Sequence, residues 1–175
     1  MSFHLIDLRT WERKEFYEHF INEVVCTYST TVNLDITNLK NIRLYPAIIW
    51  LLTCAVNQMP EFRTAITNDG VGIYGEMHPA YTIFNEKNKN FSEIWTQFDS
   101  DYHVFLRSYE ADVAKYMSSV NFTPKPDRPS NSFDISMIPW FTFATVYKGN
   151  IIKINNGLPI LRRDTAQTRL RAVFL

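Results

Sequence analysis

The sequence has little glycine and little cysteine, with five Gly and two Cys among 175 residues. Scarce glycine disfavours a loop that cradles nucleotide phosphates, and no glycine-rich phosphate motif occurs. Cys26 and Cys54 are too few for the disulfide framework of a small secreted domain, so reduced thiols are expected. None of the four histidines lies at metal-ligand spacing from another His or Cys. We therefore expect no metal site, and structural or solvated roles for the histidines.

Long apolar segments are also missing. The longest, residues 47–56, is too short to cross a bilayer, and residues 1–16 lack the apolar core of a signal peptide. Aromatic residues are plentiful at 15%, and with the other hydrophobic residues they supply enough apolar surface for one folded domain. These features predict a cytoplasmic protein without a membrane partner.

Charge of one sign is not in excess, because 18 basic residues balance 18 acidic ones. This balance gives no reason to expect a nucleic-acid partner. However, residues 1–144 carry 12 basic and 17 acidic residues, whereas residues 145–175 carry six basic residues and one acidic residue. The break predicts a domain over 1–144 followed by a divergent basic tail over 145–175. Since the tail lacks interleaved aromatic residues for base stacking, we expect a solvated, disordered end.

Alternating patterns, caps and turn residues predict a mixture of helices and strands. Helices are expected over residues 11–21, 46–58 and, in large part, 91–117. Strands are expected over residues 26–36, 61–66, 71–74, 80–84 and 132–145, with a tight turn at Asn68–Gly70. The tail is expected to hold a strand pair within 146–160 and weak helical periodicity within 161–175. Because helices and strands do not alternate strictly, we expect an α/β fold, a two-layer α/β sandwich with a mixed sheet.

Seven stretches of the chain carry a specific pattern in their order and spacing. They are WERKEF, CTYSTTVNLDIT, LYPAIIW, AVNQMPEFRTAI, PAYTIFNEK, FSEIW and SMIPWFTF. Over residues 5 to about 143, this pattern resembles the chloramphenicol acetyltransferase family. The resemblance implies a fold like that of the CoA-dependent acyltransferases, incomplete here at the C-terminus. It also implies a cytoplasmic homotrimer that transfers acetyl from acetyl-CoA, a co-substrate, to a hydroxyl of chloramphenicol, with no bound cofactor.

The resemblance also implies roles for individual residues. In the family a histidine of a C-terminal HHxxxDG motif is the general base, and a hydroxyl side chain stabilises the oxyanion, in a tunnel between subunits. Arg13 matches the arginine that pairs with the aspartate of that motif. The positions that match the family's antibiotic-binding residues are Phe20, Cys26, Tyr28, Thr82, Phe91, Phe133 and Phe143.

The chain departs from the family pattern near its end. Thr145 stands where the oxyanion serine is expected, and no histidine follows His103, so HHxxxDG does not occur in these residues. The resemblance ends near Val146, which suggests a changed reading frame or a foreign sequence beyond it.

Three alternatives follow from these departures. In the first, the chain is a divergent acetyltransferase that uses another general base. In the second, it is an inactive remnant that at most binds the antibiotic weakly. The third, an unrelated binding module with a basic arm, is disfavoured by the resemblance. We expect that this chain lacks acetylation activity.

Overall fold

The computed structural model describes residues 2–24, 30–39, 41–137, 160–163 and 169–174 of the chain. Within them lie three α-helices, α1 (Lys14–Asn22), α2 (Leu44–Gln58) and α3 (Tyr102–Tyr116). The strands are β1 (Phe3–Leu5), β2 (Thr30–Asp35), β3 (Thr64–Thr67), β4 (Gly70–Tyr74), β5 (His78–Asn85), β6 (Asn90–Trp95), β7 (Ser132–Met137), β8 (Ile160–Arg163) and β9 (Arg169–Phe174). Single 3-10 turns cover Thr37–Leu39 and Pro60–Arg63.

Local chemistry explains where several elements begin. Asp101 caps α3, because its carboxylate accepts hydrogen bonds from the backbone N–H groups of His103 and Val104. Pro46 lies in the first turn of α2, where its missing N–H costs no helical hydrogen bond. Gly70 adopts φ +126°, a conformation that favours glycine, at the turn between β3 and β4.

The strands form two sheets. A three-stranded antiparallel sheet has the order β1-β4-β3, and a six-stranded mixed sheet has the order β2-β9-β8-β7-β5-β6. In the larger sheet β5 pairs antiparallel with β6 and parallel with β7, so it lies between them. The described chain thus combines helices with a mixed sheet, and the α/β fold class is confirmed.

The core lies between the larger sheet and helices α2 and α3. One face of β5, β6 and β7 contributes buried side chains, and the two helices contribute the others. The fully buried members include Ile49, Tyr81, Ile94, Phe105 and Ile135. Each buried aliphatic or aromatic side chain of this size contributes about 1.5–3 kcal/mol to folding.

A buried polar network ties the sheet to α3. The Tyr81 and Thr96 hydroxyl oxygens are 2.7 Å apart, and Thr96 donates to an Asp112 carboxylate oxygen at 2.7 Å. Because the single Thr96 proton goes to Asp112, Tyr81 is the donor to Thr96. Lys125 completes the chain with a 2.7 Å bond to the other Asp112 oxygen, and its ammonium lies 4.1 Å from the Trp95 ring centre.

The segment after α3 runs along the outer edge of β6. The carbonyl of Phe122 accepts a hydrogen bond from the backbone N–H of Glu93, and the carbonyl of Asn121 accepts from the hydroxyl of Ser92. These bonds satisfy polar groups that an edge strand would otherwise expose. Residues 121–131 form irregular structure.

Several sequence-based expectations are confirmed, among them α2, β4, β5 and the turn between β3 and β4. Residues 91–95, expected to be helical, form β6, because six cross-strand pairs with β5 outweigh an ambiguous local pattern. Residues 61–63 form a 3-10 turn and not a strand, since Pro60 fixes a helical start. Helix α1 begins at Lys14, later than expected.

The expectations for the tail are wrong where the structure describes it. Residues 161–163 and 169–174, expected to be disordered or weakly helical, belong to β8 and β9, and β8 begins at Ile160, the last residue of the expected strand pair. Strand β8 pairs with β7, and β9 pairs with β2. Alternating side chains in RLRAVF suit a strand once partner strands are available. The boundary between residues 144 and 145 stays a prediction.

The network predicts a stability difference between two tyrosines. Tyr81→Phe removes the donor to Thr96, so we expect the free energy of unfolding to fall by about 1–2 kcal/mol. Tyr102→Phe is the matched control, because the buried Tyr102 hydroxyl has no hydrogen-bond partner among the described residues and its removal should be neutral or stabilising. Urea unfolding followed by circular dichroism measures both. Equal losses for the two variants would contradict the prediction.

Candidate functional site

The face of the larger sheet opposite the helices carries two hydroxyl groups close together. Tyr81 and Ile135 are paired across β5 and β7 and point into the core, so Thr82 and Ser136, the next residues, point to the opposite face. The two side-chain oxygens are 3.3 Å apart. Both residues are half-buried. Tyr45 fixes the backbone here, because its hydroxyl donates to the Thr82 carbonyl at 2.8 Å.

An aromatic pair lies on the same face. Phe91 of β6 is directly opposite Phe84 of β5, and their ring centres are 5.1 Å apart. Phe84 is two residues from Thr82, so all three side chains share one face. Phe91 is 39% exposed. The sheet therefore presents aromatic and hydroxyl groups side by side.

Arg128 crosses this face and joins the two strands that flank β5. Its guanidinium pairs with the carboxylate of Glu93 on β6, and with Asp134 on β7 at 2.6 Å. The same group donates to the Ser132 hydroxyl at 2.8 Å. Because β5 lies between β6 and β7, Arg128 passes over β5 and restrains both neighbours of Thr82.

A second concave surface is formed by α1, the segment before it, and the smaller sheet. It encloses about 470 Å³ and has mainly aromatic and aliphatic walls. Its lining residues are Ile6, Trp11, Arg13, Phe16, Tyr17, Phe20, Ile21, Pro60, Glu61, Thr64 and Ile73. An apolar cleft with few polar groups is the usual form of a small-molecule site. We call it the α1 cleft.

The structure divides the residues implied by the resemblance. Arg13 and Phe20 line the α1 cleft. Thr82 and Phe91 lie on the face of the larger sheet opposite the helices, which we call the β5–β6 face. Phe133 packs against the core cluster on the helical side of the sheet. Cys26, Tyr28, Phe143 and Thr145 lie outside the described residues. The functional roles of all these residues stay predictions.

Two residues beside Thr82 were missed in the sequence, namely Ser136 and Tyr45. The alternation SFDISM could have placed Ser136 on the face opposite Ile135. Its pairing with Thr82 depends on the parallel register of two strands whose paired residues are 54 apart in the chain. No local sequence pattern predicts which residues of the two strands are paired.

The histidines do not converge within the described residues. His4 lies on β1 and His103 in the first turn of α3, and both are exposed. His19 pairs with Glu23 at 2.8 Å on the surface of α1. His78 is the most buried, with 13% of its side chain exposed. In the described part of the chain no three His, Cys, Asp or Glu side chains form a group that could hold a metal ion.

His78 has a structural hydrogen bond. Its Nδ1 atom accepts from the backbone N–H of Phe98 at 3.2 Å, and the carboxylate of Glu76 lies 3.8 Å away. Burial lowers the pKa of His78, and the nearby carboxylate opposes this shift only in part. A protonated Nδ1 could not accept the Phe98 bond, so the neutral ring suits the folded state.

No helix in the described ranges combines the length and apolar character needed to cross a membrane.

Comparison with known sequences gives a family match along most of the chain. The sequence model of the chloramphenicol acetyltransferase family matches residues 1–169. A chloramphenicol acetyltransferase from Clostridium perfringens is 47% identical over 146 residues, which cover 82% of this chain and 70% of the relative. Another from Vibrio anguillarum is 45% identical over 146 residues, which cover 82% of this chain and 68% of the relative.

Solved structures agree on the fold. A chloramphenicol acetyltransferase superposes with a TM-score of 0.71 at 20% identity, covering 99% of this chain and 88% of the other. The dihydrolipoamide acetyltransferase of Azotobacter vinelandii superposes with a TM-score of 0.58 at 10% identity. The superposition covers 84% of this chain and 71% of the other. At these identities the likeness concerns the fold alone.

The lowered pKa of His78 predicts a pH dependence of stability. The unfolded chain binds a proton on this ring near pH 6.5, above the folded-state pKa, so stability falls as the pH drops below about 6.5. His78→Gln should show a smaller loss of unfolding free energy between pH 7 and pH 5.5 than the unmodified chain. Urea unfolding at each pH measures this, with the exposed His103→Gln variant as control. An unchanged pH slope in His78→Gln would refute the assignment.

Proposed function

The chain belongs to the chloramphenicol acetyltransferase family, and we propose that it forms the antibiotic-binding part of that enzyme's site. The observation that carries the proposal is the family match over residues 1–169, a range that includes the α1 cleft and the β5–β6 face, together with 45–47% identity to named relatives. The family is an acyltransferase family that uses acetyl-CoA as co-substrate. We further propose a cytoplasmic location, as the family resemblance implies.

The reaction proposed for the complete site is acetyl transfer to a hydroxyl. The hydroxyl oxygen of chloramphenicol attacks the thioester carbonyl of acetyl-CoA, and its proton moves to a general base. A C–O bond forms, the C–S bond breaks, and the CoA sulfur leaves and receives a proton. The negative charge that develops on the carbonyl oxygen needs a hydrogen-bond donor, and Thr145 is the proposed donor.

Two surfaces of this chain would contribute to antibiotic binding. The α1 cleft offers Phe20 beside Arg13, and the β5–β6 face offers Thr82 and Phe91. The residues that line the α1 cleft include none from β5, β6 or β7. We propose that the two surfaces face each other between neighbouring subunits of a homotrimer, as the resemblance implies. An aromatic and hydroxyl-bearing pocket suits a ligand with an aromatic ring and hydroxyl groups.

The general base is the part that these 175 residues do not supply. HHxxxDG does not occur in the sequence, and the four histidines lie on separate elements or surfaces in the structure. Loss of a general base costs about 10²–10⁴ in rate. The second candidate function is therefore an inactive chain that binds chloramphenicol weakly, and the same assay separates it from an active enzyme.

An acetylation assay tests both candidate functions. We expect no thiol release from acetyl-CoA above background by the 175-residue chain, because the base is missing. Replacing residues 144–175 with the matching segment of an active relative, including HHxxxDG and the oxyanion serine, should give measurable turnover. Colorimetric detection of the CoA thiol at several chloramphenicol concentrations provides the measurement. Turnover by the unaltered chain that depends on one of its four histidines would overturn the expectation.

The chimera also tests the role of Arg13. Arg13→Ala should lower its activity, because the resemblance pairs this arginine with the aspartate of HHxxxDG. Lys14→Ala is the matched control, since Lys14 is exposed and pairs with Glu18 at 3.7 Å across one helical turn. A chimera that assembles as a trimer yet stays inactive would mean that the antibiotic-binding residues are assigned wrongly.

A further inference from the structure

The Thr82–Ser136 pair has hydrogen-bonding capacity left over. Two hydroxyl groups carry two protons, and their mutual bond at 3.3 Å uses one of them. The Ser136 hydroxyl has no other hydrogen-bond partner within the described residues, whereas the Thr82 side chain also meets the Tyr45 hydroxyl. When Thr82 donates to Ser136, the Ser136 proton and lone pairs on both oxygens have no partner among the described residues, so they can bind a polar group of a ligand.

The pair is held in place from several directions. Tyr45 donates to the Thr82 carbonyl at 2.8 Å, and burial raises the pKa of Tyr45, so this phenol stays protonated as a donor. On the sheet face, Arg128 joins Glu93, which is directly opposite Thr82 on β6, to Asp134 on β7. Asp134 is two residues before Ser136, so the arginine fixes both strands that flank the pair. Preorganised hydroxyls bind a ligand without a large ordering cost.

Ser136 shares its surroundings with a residue of the proposed antibiotic site. Its hydroxyl contacts Thr82, and the exposed ring of Phe91 lies on the same face, opposite Phe84. A substrate that stacked on Phe91 would bring its polar groups towards the hydroxyl pair. The side chain of Ser136 points away from the core, so packing alone does not require a serine there.

We propose that Ser136 is a further antibiotic-binding and positioning residue. Its hydroxyl orients that of Thr82, and the pair offers one donor and free lone pairs to a hydroxyl or amide group of the antibiotic. This inference rests on the proposed function and adds to it a residue for substrate recognition.

Calorimetric titration of the 175-residue chain with chloramphenicol tests the proposal without requiring turnover. Ser136→Ala and Thr82→Val each break the hydroxyl pair, so each should weaken the affinity about three- to tenfold. The double variant should bind little worse than either single variant, because one interaction is lost in all three. Ser136→Thr keeps the hydroxyl and should retain most of the affinity. Ser108→Ala, an exposed position on α3, is the matched control and should bind as the unmodified chain does.

The outcomes separate the two proposals. No binding by the unmodified chain would overturn both the proposed function and the role of Ser136. Binding that Ser136→Ala leaves unchanged would overturn the role of Ser136 alone. If thermal unfolding shows that Ser136→Ala does not fold, the comparison of Thr82→Val with Thr82→Ser decides. Equal affinities for those two variants would then refute the hydroxyl pair, and weaker binding by Thr82→Val alone would support it.

Discussion

The buried hydroxyl of Tyr81 is the constraint on which the arrangement of the larger sheet depends. A phenol that is fully excluded from solvent must donate its proton, and in the described part of the chain its hydrogen bonds run through Thr96 to Asp112. Asp112 in turn needs a cation, which Lys125 provides from the segment after α3. This chain of partners determines where α3 and the following segment lie against β5 and β6.

Strand β5 connects the core to the candidate site through its alternation. Tyr81 and Ile83 point to the helices and are buried, while Thr82 and Phe84 point to the opposite face. Any slip of one residue would exchange these two sets, which would expose the Tyr81 hydroxyl network and bury Thr82. The packing that stabilises the fold therefore also fixes which side chains are offered to a ligand.

The sequence allowed prediction of those elements whose signals are local. The apolar run over 47–56 with Pro46 before it predicts a helix over 46–58, which is α2, and Asn68–Gly70 predicts the turn between β3 and β4. The short stretch FSEIW has no decisive period, so its state depends on pairing with β5. Strands β8 and β9 depend in the same way on distant partners.

The same distinction applies to the candidate site. Thr82 and Phe91 were found because their positions match family motifs, whereas the contact of Ser136 with Thr82 depends on tertiary structure. A motif assigns residues one at a time, but a hydrogen bond across two parallel strands requires their register.

The division of the antibiotic-binding residues between two surfaces has a physical consequence under the proposed function. Arg13 and Phe20 are positioned by α1, which packs near the smaller sheet, and Thr82 is positioned by β5 in the larger one. A ligand that needs both surfaces gains affinity only when association brings them together, because separate surfaces of one subunit cannot enclose it. Binding would then depend on protein concentration as well as on the residues present. Subunit association and antibiotic binding would then be thermodynamically coupled, and the hydroxyl pair on β5 and β7 would be the rigid part of the binding surface.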